Sequence, residues 1–424
     1  MTPDTTTTAA PGTSRPTRAR VRFNPFTEAF RRDPYPSYRQ LREERPVHRT
    51  LGMWVITRHA DVEAVLRDRS FSAGLIPQLV SDQASRLGQD TMGRIERLGR
   101  KSLVFTDNPD HARLRGLVNR VFTAQETAAL GSRVADTADR LLQRAWDDGG
   151  MDAIADLAAP LPVMVMCDWM ALPEQLREHV AQWTHDIRFL LEPGLMKAAD
   201  FTRVREAVDT FANALEEVLA ERRARPGADL ISRLLATRTA GGDRLSEEEL
   251  VFVCIMCFVA GNETTKSLIG NGLLAQLTHS DQADRLHRAP HLAGNAVHEA
   301  LRYDSPLQLT KRLATRDVEV GTELIREGDQ VLLCLGSANR DPAVFDRPDA
   351  FDIDRDAGRH LAFGHGMHGC LGGMLAELQA RIAFARLYRR VERLELQPGE
   401  LQWQDHSFIV RGLKSLPVAV RGPR

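Results

Sequence analysis

Residues 363–372 read Phe363-Gly364-His365-Gly366-Met367-His368-Gly369-Cys370-Leu371-Gly372, and the organisation of the whole chain follows from what this stretch must do. Gly364, Gly366 and Gly369 crowd one short segment, which calls for a backbone that turns tightly or lies against something flat, since glycine alone does so without a Cβ penalty. A helix is expected from Leu371 to about Arg390, which puts Cys370 at a helix N-terminus. There the unpaired N–H groups and the positive dipole end favour a thiolate over a thiol, the state a metal ligand requires. Taken alone, Cys370 also has a plainer reading as a small buried thiol in a turn. A zinc site is the sharper alternative, because His360, His365 and His368 stand close by, but zinc wants a second ligand pair and no convincing one is found elsewhere.

The rest of the composition narrows the field. The chain has 424 residues, 43% apolar and 27% charged, enough to bury a sizeable core. With 56 basic against 57 acidic residues the formal net charge is −1, which gives no global case for a nucleic-acid or membrane-surface partner. Cys167, Cys254, Cys257, Cys334 and Cys370 are odd in number and scattered, arguing against a disulfide framework and for a reducing compartment. Residues 1–22 are polar, Pro-rich and basic without the apolar core of a signal peptide, and read as a disordered tail. The apolar run Leu250–Gly261 is too short to span a bilayer, so a soluble, cytoplasmic protein is expected.

Periodicity places helices at 37–44, 60–68 and 111–147, with β-like runs at Val47–Thr50 and Met53–Thr57, and leaves Leu75–Arg100 as a long irregular segment. Most of 152–300 reads as helix, broken at Pro160, Pro173, Pro193, Pro226-Gly227, Gly241-Gly242 and Pro290. Short strands are expected at Val318–Val320 and Gln330–Leu335, a coil over 339–359, and strands at Leu401–Trp403, Phe408–Val410 and Leu416–Val420. With neither an internal repeat nor a linker, residues 23–424 read as one unit of mainly α class with small β-sheets (α+β), its α-rich and β-rich lobes sharing one core.

One helix stands out. Ser246 is an N-cap with Glu249 three residues on, and no proline follows until well past Thr278. Its first turns are apolar on every side, as suits a helix buried all round, until Ala260-Gly261-Asn262-Glu263-Thr264-Thr265 interrupts them. A carboxylate, two hydroxyls and a glycine in a buried helix are costly unless they face a cavity. The plainer reading has Thr264 bonding back to the carbonyl four residues earlier and Glu263 reaching solvent. Cys254-x-x-Cys257, set in the apolar run, reads as core packing rather than a redox pair.

Phe363-Gly364-x-Gly366-x-His368-x-Cys370-Leu371-Gly372 resembles the haem-binding signature of the cytochrome P450 family at every fixed position. The resemblance implies that family's fold, a triangular prism crossed by a long central helix, and a haem b (iron protoporphyrin IX) cofactor with Cys370 as axial ligand. It implies that Phe363, Gly364 and Gly372 lie against the cofactor, and that His111, Arg115, Arg312 and His368 meet its propionates. Ala260 and Gly261 then make room above it, Thr264 holds dioxygen and a water, and Glu263 belongs to a proton relay. Glu299-x-x-Arg302 and Arg355 resemble the family's structural triad, which would brace the coil before Cys370. If buried, the three must satisfy one another.

The resemblance covers about residues 24–420 and implies a haem-thiolate monooxygenase. It would insert one atom of O2 into a small apolar substrate, such as those of bacterial secondary metabolism, with ferredoxin and ferredoxin reductase as electron donors. The same chemistry serves oxidative coupling and desaturation. A peroxide-driven enzyme is a close alternative, and a non-catalytic haem-thiolate sensor would share Cys370 without needing Glu263 and Thr264. Val259, Leu307, Leu309, Phe408 and Ile409, with the 75–100 segment and Leu190–Leu191, are expected to wall the substrate pocket. Two positions depart from the pattern: Glu377 where related bacterial sequences carry arginine, and Lys266 directly after the two threonines.

Overall fold

The computed structural model describes residues 23–89 and 93–423; the expected tail lies outside them. Ten strands are formed among these residues: β1 (Val47–Thr50), β2 (Met53–Ile56), β3 (Phe71–Ser72), β4 (Gly150–Asp152), β5 (Leu309–Ala314), β6 (Val318–Val320), β7 (Glu323–Ile325), β8 (Gln330–Cys334), β9 (Val391–Leu396) and β10 (Pro417–Pro423). Helix dominates the remainder.

The largest sheet has the order β1-β2-β8-β5-β3, so N-terminal strands pair with strands of the second half of the chain. Only the β2–β8 pairing is parallel, with Trp54 opposite Val331 and Ile56 opposite Leu333. Strand alternation then sorts the side chains. Trp54, Ile56, Val331 and Leu333 enter one buried cluster, and Val55, Leu332 and Cys334 enter another with Tyr38 and Leu41. The helical body has its own, much larger cluster. The expected single shared core is therefore three, because the sheet is apolar on both faces and each face needs its own cover.

The central helix is continuous from Glu247 to Thr278, 32 residues, about 48 Å at 1.5 Å per residue. Its capping box forms as expected: Ser246 Oγ accepts from the Glu249 N–H, and Glu249 reaches back to the Ser246 N–H at 2.8 Å. The stretch 260–265 does not break it. This is the one helix among the described residues long and apolar enough to cross a bilayer, contrary to the estimate from its apolar run alone, and 67% of that window is buried inside the protein.

Two further readings change. Within the stretch expected to be irregular, helices run over Leu75–Arg86 and Arg94–Lys101. Each buries only a narrow stripe, Leu75, Val80 and Ala84 in the first and Ile95, Leu98 and Gly99 in the second, which is why the periodicity looked weak. Leu401–Trp403 and Phe408–Val410 are not strands but contribute isolated bridges, Trp403 to Leu413 and Val410 to Leu307. The N–H groups of Phe408 and Ile409 go to the Glu192 carboxylate instead of to a ladder. β10 pairs antiparallel with both β4 and β9, and the charged residues Glu392, Arg393 and Glu395 of β9 hid that strand from a hydrophobic reading.

Candidate active site

The glycine-rich loop closes on itself before it reaches Cys370. The Cys370 N–H donates to the Phe363 carbonyl at 2.8 Å and the Gly369 N–H to the Gly366 carbonyl at 3.1 Å. Gly366 has φ +69°, and a Cβ there would meet the Leu66 carbonyl oxygen at 2.7 Å. Its glycine is thus required by the neighbouring helix His59–Arg67 rather than by a flat ligand. The helix after the cysteine starts at Gly373, two residues later than expected.

Cys370 sits deep among protein atoms yet keeps accessible surface, because its thiol opens onto an internal cavity of about 400 Å³. Burial pushes the thiol pKa up, and the N–H groups of Gly372 and Gly373 with the Arg115 charge only partly oppose it. The helix terminus alone does not make a thiolate here; that state needs a cation on the sulfur. No three His, Cys, Asp or Glu side chains converge as a metal site among the described residues, and His360 lies instead beside His298 and Phe363, with ring centroids 6.0 and 5.7 Å away.

The same cavity is bordered by Val259, Ala260, Gly261, Glu263 and Thr264 of the central helix. Ala260 is exposed although its helix is buried, and a Cβ at Gly261 would meet no atom within 4 Å, so this turn opens onto the space beside Cys370. Thr264 Oγ1 donates to the Ala260 carbonyl at 2.7 Å, the back-bond that the plainer reading of this hydroxyl expects. Glu263 does not reach bulk solvent. It forms an ion pair with Lys266 at 2.6 Å, both largely buried, which accounts for the unusual lysine. Burial pushes the Glu263 carboxyl up, but Lys266, with His406 and Arg188 behind it, holds it below the usual carboxylate range.

Cations gather on another wall. His111, Arg115, Arg312 and His368 all border the cavity, and the rings of His111 and His368 lie 4.3 Å apart. Arg115 donates to the Gly369 carbonyl at 2.8 Å. Nδ1 of His111 is buried without a partner among the described residues. Burial, His111 and Arg312 together drive His368 down to about 4, against the pull of Asp107 at 3.4 Å, and burial lowers Arg312 to about 10. Such mutual suppression marks a cluster short of negative charge. A flat, dianionic, metal-bearing macrocycle meets each need: carboxylates for the cations, iron for the sulfur, and a narrow space bordered by Phe363, Gly364 and Gly372. The residues present fit a haem.

The triad is formed and dry. Arg302 and Glu299 are fully buried and meet through two 2.8 Å bonds, with Arg355 Nε 3.3 Å from the same carboxylate. Arg302 also donates to the carbonyls of Asn339, Pro348 and Ala350, and Glu299 accepts the Asp352 N–H at 2.9 Å. The 339–359 coil is tied to the helix Ala293–Tyr303 by these bonds.

Of the expected pocket wall, Val259, Leu307, Leu309, Ile409 and Leu191 border the cavity, as do Leu75 and Ile76. Phe408 does not; its ring packs on Phe26 at 4.9 Å with the Lys311 ammonium 5.3 Å above it, and Leu190 is buried away from the space. Residues not foreseen also border it: Arg188, Glu192, Lys311 and His406. Only Arg188 left a signal in the sequence, a lone charge inside Ile187–Leu191.

A family model described as Cytochrome P450 matches residues 179–413. The chain is 37% identical over 406 residues to the vitamin D(3) 25-hydroxylase of Pseudonocardia autotrophica, covering 94% of this chain and 96% of that one. It is 36% identical over 405 residues to the cytochrome P450 monooxygenase PikC of Streptomyces venezuelae, covering 93% of each. The crystal structure of CalO2 superposes with a TM-score of 0.87 at 38% identity, over 94% of this chain and 99% of that one.

Proposed function

The chain belongs to the cytochrome P450 family, and on that premise we propose which of its residues carry the chemistry and on what. It is a haem-thiolate monooxygenase of the kind found in bacterial secondary metabolism. When bound, the haem activates dioxygen, so that one oxygen atom enters a C–H or C=C bond and the other leaves as water. We assign the cofactor as haem b, whose iron Cys370 Sγ would hold and whose propionates His111, Arg115, Arg312 and His368 would meet; the cation-rich border of the same cavity supports this.

On the same cavity as that thiol, Ala260 and Gly261 leave the space for substrate. Thr264 Oγ1, whose own hydrogen is committed to the Ala260 carbonyl, offers lone pairs that accept from a water or from a protonated oxygen in the cavity. Glu263 is held as a carboxylate by Lys266, so it receives a proton before it gives one. The Glu299–Arg302–Arg355 cluster acts on structure alone, holding the coil that leads to the cysteine loop. Electrons come from a ferredoxin and its reductase, docking near Met374, an exposed apolar residue on the helix behind Cys370. Besides Cys370, the four cysteines Cys167, Cys254, Cys257 and Cys334 are free thiols, which suits the cytoplasm, and we take residues 23–424 as one haem domain.

The observation carrying this reading is that Cys370 and the polar turn 260–264 border one cavity. Thr264→Ala tests it. With electrons supplied, the variant is expected to release most reducing equivalents as hydrogen peroxide with little product, measured as product and peroxide per electron. Coupling equal to the unmodified enzyme contradicts the monooxygenase mechanism.

A further inference from the structure

Arg188 follows the helix Glu174–Ile187 and begins a short turn, Arg188–Leu191, at the cavity edge. It is only 5% exposed. One nitrogen, Nη1, donates to the His406 carbonyl at 3.3 Å, and the guanidinium lies over the Phe189 ring at 4.4 Å. The other two, Nε and Nη2, are buried with no hydrogen-bond partner among the described residues. A buried guanidinium with two unmet donors is costly, and it is retained where something else supplies the acceptor.

The protein's own carboxylates do not supply it. Asp186, Glu192 and Glu263 are near enough to attract Arg188, but none hydrogen-bonds it: Asp186 and Glu192 are bonded elsewhere, and Glu263 is ion-paired with Lys266. Asp186 accepts from Arg203 at 2.7 Å and Gln182 at 2.9 Å. Glu192 accepts from Ser407 and from the N–H groups of Phe408 and Ile409. Glu263 is paired with Lys266. Lys311, bordering the same cavity and within the field of Glu192, adds a further cation. Arg203 is shared between Asp186 and Asp200, at 2.7 and 2.8 Å, so the charges here balance and what is missing is an acceptor for Nε and Nη2 of Arg188. His185 and His406 pack against each other here, and burial, with Arg188 next to each, pushes both toward the neutral form.

We propose that Arg188 is a carboxylate-binding residue of the substrate pocket, that its side chain turns Nε and Nη2 from their shielded position toward the cavity it borders, and that the substrate is an apolar molecule bearing one free carboxylate, which seats on them. The planar fork of those two donors matches the two carboxylate oxygens. The apolar body lies along Leu75, Ile76, Val259, Leu307, Leu309 and Ile409. This rests on the monooxygenase reading for the identity of the cavity, but not for the acceptors that Arg188 lacks.

The test uses the purified holoenzyme and matched sets of straight-chain carboxylic acids, their methyl esters and the alkylammonium ions of equal length, from eight to sixteen carbons. Binding is read by equilibrium dialysis and by the ferric absorption shift. In the best-binding set the acid is expected to bind at least tenfold tighter than its ester, and the ammonium ion weakest. Arg188→Gln is expected to bring acid and ester within twofold of each other, and Arg188→Lys to keep part of the preference. Equal binding of acid and ester by the unmodified enzyme, a preference for ester or ammonium, no binding of any acid, or an undiminished preference in Arg188→Gln overturns the proposal. Should Arg188→Gln not fold, the acid and ester comparison on the unmodified enzyme decides alone. Acid preference by dialysis in a protein without a haem-thiolate spectrum would sink the functional reading and leave the subsite; the spectrum without the preference does the reverse.

Discussion

At Glu263 two influences oppose each other. Burial favours the protonated carboxyl, while the Lys266 ammonium at 2.6 Å favours the carboxylate and wins. A carboxylate whose folded-state pKa lies below its ordinary value stabilises the fold at pH above that value, and this contribution is lost as pH falls through the folded value. Lys266→Gln removes the counter-charge and leaves the burial, so the Glu263 pKa must rise. The acid limb of the kcat/KM profile is then expected to move to higher pH, measured from pH 4 to 8; a limb that stays in place means Glu263 is not in the proton path. At this scale the sequence was informative wherever residues belong to one spaced motif: Cys370, Thr264 and Glu299 stand where their motifs put them. Arg188, Glu192, Lys311 and His406 come from four separate segments, and only the folded chain shows that they share a cavity.

Elements are held in register by a few dry polar contacts. Removing one member of the Glu299–Arg302 pair leaves the other charged and fully buried, which costs about 3–5 kcal/mol. Glu299→Gln is expected to lose that much in urea unfolding and to release its coil, with a parallel loss of bound haem. A change under about 1 kcal/mol would contradict the structural role. Gly366→Ala acts differently, by forcing a Cβ into a positive φ and against the Leu66 carbonyl. Strain of this kind costs on the order of 1–3 kcal/mol, expected as a lowered thermal midpoint; an unchanged midpoint would show that the loop has room. The element boundaries that could be read ahead were those with a local chemical signal, such as the Ser246–Glu249 capping box and the prolines at 160, 173 and 193. The loop after Trp403 could not, because its backbone is satisfied by Glu192, more than two hundred residues earlier.

Across the whole molecule, one cavity lies between the central helix and the cysteine loop, and every group expected to act on the cofactor borders it: the thiol, the cationic wall and the polar turn. The β-rich part keeps separate cores on its sheet faces, each shared with its own covering helices, so β5 carries Arg312 to the cavity from a framework distinct from the core of the main helical body. The central claim is that Cys370, as a thiolate, holds the iron. The most direct test is the absorption spectrum of the reduced carbon monoxide complex of the purified enzyme and of Cys370→His. The unmodified enzyme is expected to show the red-shifted Soret band of thiolate ligation, and Cys370→His to lose that band even where it retains haem. Survival of the band in Cys370→His would contradict the assignment.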